Sequence, residues 1–200
     1  MNNTNQQSNS AGKIVVISGP SGVGKSTICK RIVEEFKDGI YLSISSTTRN
    51  KKSGEQDGVD YFFISEEEFK KQLKAGNFLE CAEVFGNFYG TPKDKVVQAL
   101  QQGKIVLLEI DVQGARAVKK LYPNAILIFI MPPRQQELEH RIISRGRDEQ
   151  TDVKTRLAGA NNEIEQGWLS YDFVIINDEL ESAVAETIQT IKKAIGVKND

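Results

Sequence analysis

Histidine and cysteine are scarce in this chain. Its 200 residues include one histidine, His140, and two cysteines, Cys29 and Cys81. That excludes a metal centre of Cys and His ligands and a disulfide framework, and it suits a reduced compartment. Cys29 reads as a small apolar filler inside a helix. An excess of one charge is also lacking: 26 cations face 27 carboxylates, a formal net charge of −1. No bulk electrostatic case remains for nucleic acid or an anionic membrane as partner, although a local arginine cluster stays open. The longest apolar run, AILIFIM at 125–131, is far too short to span a bilayer. The opening MNNTNQQSNSAG carries neither a basic start nor an apolar stretch. The expectation is therefore a disordered tail over 1–11 rather than a signal peptide, and a cytoplasmic protein. The base-reading Asn-Lys-x-Asp of a GTPase and a protein-kinase catalytic loop are both missing.

What is present begins with GPSGVGKST at 19–27, between the apolar run KIVVIS and ICKRIVEEF. Gly19, four residues, then Gly24, Lys25 and Ser26 is the spacing of a phosphate-binding P-loop, and strand-before, helix-after is the context it needs. Glycines let the backbone of Gly19, Pro20, Ser21, Gly22, Val23 and Gly24 curl until its N–H groups, which every one of these but Pro20 carries, point at phosphate oxygens, and the helix N-terminus adds positive partial charge. Lys25 is expected at the β- and γ-phosphates. The Ser26 hydroxyl is expected to help hold Mg²⁺, beside Thr27. ATP is the implied phosphoryl donor.

Apolar runs at 104–110, 125–131 and 171–177 read as strands buried on both faces of a parallel sheet, joined by helices in right-handed crossovers. The predicted fold class is α/β: a P-loop kinase fold with a helix-flanked parallel sheet, an inserted α+β subdomain and a helical lid. The expected division is a core of 12–42, 93–133 and 157–200, an inserted subdomain at 43–92 and a lid at 134–156. The insert shows short strands (39–45 runs into it, then 59–65, NFLECAEVF and NFYGTP), turn glycines and aromatics. One helix is expected at 65–76, from the capping pair Ser65 and Glu68 to Gly76. The lid stretch holds Arg134, Arg141, Arg145, Arg147 and Arg156. Arg134 and Arg147 read as a solvated face. Arg141, Arg145 and Arg156 read as cations that close over a transferring phosphoryl group.

The acceptor can be approached through chemistry. Transfer to an alcohol or water needs a positioned base, whereas a phosphate monoester, with a second pKa of ~6, is already an anionic nucleophile at neutral pH. A chain with five arginines clustered at 134–156 and a single histidine fits a phosphate acceptor, such as a nucleoside monophosphate.

The stretch SISSTTRNKKSGEQDGVDYFF, taken with GPSGVGKST, FLE, NFYGTP, LLEIDVQGA and SRGRD, resembles the guanylate kinase family, from about Lys13 to Lys193. The resemblance implies phosphorylation of GMP to GDP, and of dGMP as a second acceptor, at the expense of ATP, with Mg²⁺, in purine nucleotide metabolism and GMP recycling. It implies that Arg49 clamps the GMP phosphate, with Tyr61 and Tyr89 donating hydroxyls to it. Glu80 matches the carboxylate that reads guanine N1–H and N2 together. Ser45 and Thr91 match hydroxyls at the base edge, and Asp111 an acid near the guanine amine and, through water, the metal. Arg141, Arg145 and Arg156 match lid arginines, and Asn177 a position near the ATP base. Glu109 reads as internal to the sheet and paired. The chain departs from the family pattern at Lys51-Lys52, where Pro-Arg is common, so Lys52 either replaces a second phosphate-binding guanidinium or lies in solvent. Cys81 stands where an aromatic can occur. ATP and GMP are the expected partners, with no nucleic acid and no membrane; a homodimer stays open. Two other readings also stay open: a same-fold kinase acting on a ribose phosphate, and a non-catalytic phosphopeptide-binding module. The first should lack Ser45, Glu80 and Thr91 together, and the second Lys25 and the lid arginines.

Overall fold

The computed structural model describes residues 12–144, 159–160, 163–165, 167 and 170–196, with the backbone alone for Gln135 and for 141–144. Five parallel strands form the main sheet in the order β2-β7-β1-β8-β9: β1 (Lys13–Ser18), β2 (Ile40–Ser43), β7 (Ile105–Glu109), β8 (Ile126–Met131) and β9 (Phe173–Ile176). A smaller sheet, β4-β3-β6-β5, joins β3 (Ser46–Thr47), β4 (Phe62–Phe63), β5 (Phe78–Val84) and β6 (Asn87–Pro92). Its β5–β6 and β3–β6 pairs are antiparallel, and β3–β4 is parallel. The helices are α1 (Lys25–Phe36), α2 (Glu66–Lys74), α3 (Lys93–Gln101), α4 (Val112–Leu121), α5 (Gln135–Ser144) and α6 (Leu180–Ile195).

The central strands bury both faces. On β1, Val15 and Ile17 meet α1 and α6 through Ile28, Ile32, Val184 and Ile191. Ile14 and Val16 point the other way, toward Val96 of α3 and Ala115 and Val118 of α4. This period of two, with apolar residues on both phases, is why the sequence reads as an unbroken apolar run. Each such side chain contributes roughly 1.5–3 kcal/mol on burial. The expectation for 171–177 is corrected here. β9 is the edge strand, and of its four residues only Ile175 is buried, with Phe173 and Ile176 exposed. A run of β-branched residues has the same appearance at an edge as in the middle, so periodicity could not separate the two.

The small sheet is cut shorter than the sequence suggested. The strand expected at 39–45 ends at Ser43, and the chain starts the second sheet at Ser46; the strand expected at 59–65 is Phe62–Phe63. The residues before it fold into a side-chain-pinned loop. Asp60 accepts from Gln56 N (2.8 Å), Asp57 accepts from Phe63 N (2.9 Å), and Gly58 N donates to Tyr61 O (2.8 Å). Aspartates that bond nearby backbone compete with a strand ladder in this way. α2 begins where its cap predicts, since the Ser65 hydroxyl accepts from Glu68 N at 3.1 Å. Its Phe69 is buried in a stack with Phe78 and Phe88, at centroid distances of 4.6 and 5.5 Å. The β5–β6 hairpin turns on Phe85 and Gly86, both at positive φ (49° and 72°), the twist a two-residue hairpin needs.

Candidate active site

β1, β7 and β8 end side by side, and their carboxyl ends open onto a crevice of the kind where α/β sheets bind ligands. β1 leads directly into the P-loop. Gly19, Gly22 and Gly24 all have positive φ (148°, 88° and 104°), and a Cβ at Gly19 would collide with the Ile130 carbonyl. Only glycine can make that turn without strain. Lys25 Nζ donates to the Gly19 and Pro20 carbonyls at 2.5 and 3.0 Å, so the ammonium lies inside its own loop. Asn177 is buried and its side-chain amide donates to Val23 O at 2.7 Å, while a Cβ at Gly24 would lie 2.6 Å from that amide nitrogen. The amide therefore braces the loop from behind, where the resemblance had implied a place near the ATP base.

Ser26 Oγ donates to Glu109 Oε1 at 2.7 Å. Glu109 is thus internal to the sheet and paired, as expected: it is the last residue of β7, in register with Ile17, and its side chain takes Ser26 of the P-loop helix as partner. The hydroxyl and carboxylate form a hard oxygen pair suited to Mg²⁺, which keeps waters and nucleotide oxygens for the rest of its shell. Among the described residues no group of three or more Cys, His, Asp or Glu is placed to hold a metal ion by itself.

Across the crevice, the residues of SSTTR are held to β6. Thr47 Oγ1 donates to Phe88 O (3.0 Å) and accepts from Arg49 N (3.2 Å), and Thr48 Oγ1 accepts from Phe88 N (3.0 Å). That sets Arg49, whose guanidinium lies 5.5 Å from the Tyr61 ring centroid and 5.8 Å from that of Phe63. Burial works against its charge, yet the hydrogen bonds it donates to Glu55, with Tyr89 nearby, hold its pKa above the ordinary value. The Tyr61 and Tyr89 rings meet edge to face at 5.9 Å. Burial raises the Tyr61 pKa, and the Glu109 carboxylate adds to the rise, which brings the P-loop acid and the tyrosine pair into one electrostatic neighbourhood.

Glu80, Thr91 and Ser45 are buried together in the small-sheet half. Thr91 Oγ1 donates to Glu80 Oε1 at 2.5 Å. Burial pushes the Glu80 carboxyl up to about 7; the Thr91 hydroxyl opposes the rise and Asp111 adds to it. Asp111 is the N-cap of α4, accepting from Gly114 N (2.9 Å) and from Gln113 Nε2 (3.1 Å). A Cβ at Gly114 would stand 2.6 Å from Glu80 Oε2, so this glycine is what admits the carboxylate beside the helix. Glu163, which sequence reasoning did not single out, is also in this region: burial raises its pKa, with Lys25 opposing and Asp111 adding. Glu55 and Gly114 were likewise missed. The nearest signal for Glu55 was a carboxylate in an otherwise basic loop six residues after Arg49.

Of the three lid arginines, Arg145 and Arg156 and the side chain of Arg141 lie outside the described residues. The Lys52 backbone N–H is bonded to Glu55 (2.8 Å), which places Lys52 in the same loop network as Arg49.

The family model for guanylate kinase matches residues 11–194. The chain belongs to the guanylate kinase family. It is 49% identical to a guanylate kinase of Symbiobacterium thermophilum over 190 residues, 94% of this chain and 89% of that one. It is 44% identical to a guanylate kinase of Clostridioides difficile over 88% of this chain and 84% of the relative. A crystal structure of guanylate kinase from Anaplasma phagocytophilum superposes with a TM-score of 0.78 at 37% identity, covering 95% of this chain and 89% of that one. The α/β fold with a helix-flanked parallel sheet is the fold of that family, as expected.

Proposed function

We propose that the groups at the carboxyl edge of the main sheet divide between them an ATP-dependent phosphorylation of GMP to GDP, and of dGMP to dGDP. The observation that carries this reading is the buried Glu80–Thr91 pair. A carboxylate held there can accept N1–H and N2–H of guanine side by side, whereas adenine presents a lone pair at N1 and is repelled. Ser45 lines the same buried edge, and Asp111 adds a second acid beside it.

In this reading the P-loop, 19–27, wraps the ATP phosphates with its backbone, and Lys25 leaves its loop carbonyls for the β/γ oxygens. Ser26, with Glu109 behind it and Asp111 through water, would hold Mg²⁺, which would supply charge neutralisation. Arg49, Tyr61 and Tyr89 hold the acceptor phosphate, an already anionic nucleophile that needs no general base. The lid arginines Arg141, Arg145 and Arg156 complete the positive surroundings of the moving phosphoryl group. The division into a core, an acceptor-binding insert at 43–92 and a lid at 134–156 belongs to this reading, as do a cytoplasmic location and a place in purine nucleotide recycling. Among the described residues no helix is long and apolar enough to cross a membrane. The ribose-phosphate and phosphopeptide readings have less support, because Ser45, Glu80 and Thr91 come together and Lys25 is in place.

ADP release, measured with GMP, AMP, CMP and UMP in turn as acceptor, tests the reading. Turnover with GMP at least ~10³-fold above AMP in kcat/KM is expected from a site built on complementary buried hydrogen bonds. Equal use of AMP and GMP would overturn it.

A further inference from the structure

Glu55 is a half-buried acid among cations, and its geometry is specific. Arg49 NH1 donates to Glu55 Oε2 at 3.1 Å and NH2 donates to Oε1 at 2.8 Å, so the guanidinium is gripped end-on. Oε2 also accepts the Lys52 backbone N–H at 2.8 Å. Arg49 NH1 makes one more bond, to Asn50 O at 2.7 Å. Three of the five guanidinium N–H groups are therefore engaged. Tyr89 lies close enough to help hold this charge, and the donors outside those three bonds are Nε–H and the outer N–H of NH2. That side-on edge is a second bidentate fork, parallel in design to the one Glu55 occupies.

A comparison within the molecule shows that this pair is not surface decoration. Arg31 and Glu181 make the same two-pronged contact at 2.8 Å, but their side chains are 41% and 71% exposed. Those of Arg49 and Glu55 are 16% and 14% exposed, and the rings of Tyr61 and Phe63 face the guanidinium. An exposed pair of this kind orients little, whereas a half-buried one with a backbone N–H as third partner holds its plane.

We propose that Glu55 is a positioning residue: it fixes Arg49 end-on and clips the 49–55 loop, so that the side-on edge of Arg49, with Tyr89, is turned toward the acceptor's phosphate. The inference rests on the reading that Arg49 binds that phosphate. Glu55 does not itself touch the substrate, and its effect falls on the phosphate rather than on the base.

The test is steady-state kinetics of the full chain with Arg49→Ala, Glu55→Gln, Glu55→Asp and the Arg49→Ala/Glu55→Gln double variant, together with inhibition by guanosine, which has the base and no phosphate. Arg49→Ala should raise KM for GMP, which checks the underlying reading by itself. Glu55→Gln sets an amide N–H against the fork and should raise KM for GMP about tenfold, the scale of one charge-assisted hydrogen bond. The value of kcat at saturation, KM for ATP and the inhibition constant of guanosine should stay within twofold. Adding Glu55→Gln to Arg49→Ala should cost nothing further, because there is no longer a fork to orient. Glu55→Asp keeps the charge on a shorter arm and should fall between wild type and Glu55→Gln; it carries the test if the amide variant does not fold. If Arg49→Ala raises KM for GMP but Glu55→Gln leaves it unchanged, the proposal is wrong while the Arg49 reading stands. A lower KM in Glu55→Gln would make Glu55 a rival of the phosphate for Arg49, and an equal rise for guanosine would make it a general prop of the loop; either overturns it. If Arg49→Ala leaves KM alone, the phosphate reading fails and the proposal falls with it.

Discussion

On the P-loop side, the groups assigned to ATP come from consecutive residues, 19–27, and most of them are backbone N–H. On the small-sheet side, the groups assigned to GMP are side chains gathered from Ser45, Arg49, Tyr61, Glu80, Tyr89 and Thr91. The P-loop needs three glycines at positive φ and an amide behind it, and little else decides its shape. The small sheet needs pairs: Thr91 on Glu80, Glu55 on Arg49, Thr47 and Thr48 on the Phe88 backbone. The difference suits the two tasks. Any nucleoside triphosphate presents the same phosphate chain, so a backbone cradle suffices. Guanine differs from adenine by the direction of a few hydrogen bonds, and only oriented side chains can read that.

The comparison breaks most visibly at Lys25. It is the one P-loop group whose contribution is a side-chain charge, directed at oxygens that become more negative in the transition state. Lys25→Met is expected to lower kcat by ~10²- to 10³-fold, with GMP affinity little changed. Isothermal titration with GMP beside steady-state turnover separates the two. A variant that keeps more than about a tenth of wild-type kcat would show that backbone alone builds the donor side.

Glu80 is the sharper instrument on the other side. Glu80→Gln leaves one acceptor for guanine and turns an N–H against a guanine donor, which should lower kcat/KM for GMP about 10- to 150-fold, the worth of one hydrogen bond to a charged group. The same substitution should stabilise the fold. With its pKa raised by burial to about 7, Glu80 binds a proton in the folded state more readily than in the unfolded state. Its favourable contribution is therefore present below its unfolded pKa and is lost as pH rises through about 7. At pH 8 the ionised, buried carboxylate costs on the order of 3 kcal/mol, a cost the amide removes. Thermal unfolding should show a higher Tm for Glu80→Gln at pH 8 and a much smaller gain at pH 5. Guanosine binding, free of the phosphate's own titration, should strengthen in wild type as pH rises through about 7 and be flat in the variant. Stability at pH 8 that is unchanged by Glu80→Gln would mean that the pocket solvates this carboxylate.

The two sides also differed in how far the sequence disclosed them. The P-loop was readable to the residue, because its glycines and helix start are local and their spacing is fixed by backbone geometry. α1 begins at Lys25 and ends at Phe36, as its apolar spacing predicts. The small sheet was readable only in outline. Its strands are two to seven residues long, and at 56–63 aspartate turns replace much of the ladder that the apolar pattern suggested. Individual candidates such as Arg49 and Glu80 were identifiable through resemblance, but not what holds them. Glu55 and Gly114 act by contact with a partner brought near by folding, and nothing in a linear pattern marks a glycine whose use is the space it leaves for Glu80. β9 failed for a related reason: an apolar run shows that a strand exists but not which neighbour it lacks.

The smallest expected effect, and the finest test of the comparison, concerns Lys52. If the acceptor side is built from oriented side chains rather than from bulk charge, then an oriented fork should outperform a point charge at the same place. Lys52 is half-buried, its backbone N–H is bonded to Glu55, and its charge helps hold the Glu55 carboxyl below the ordinary carboxylate range, though burial opposes this and Arg49 does more. The ammonium thus lies in the field of the carboxylate that grips Arg49, at the rim where the acceptor phosphate is proposed to sit. An ammonium is compact and strongly hydrated, whereas a guanidinium offers two parallel donors and sheds water more readily. Lys52→Arg should therefore lower KM for GMP by roughly two- to tenfold, about 0.5–1.5 kcal/mol or one net hydrogen bond, with kcat unchanged. Lys52→Ala should raise KM by a smaller factor, because Arg49, Tyr61 and Tyr89 remain. Both shifts should shrink as salt is added, since a rim charge is screened over about 10 Å at 0.1 M. Equal KM values for wild type, Lys52→Arg and Lys52→Ala would place this side chain outside the site and leave the acceptor phosphate to the Arg49 fork and the two tyrosines.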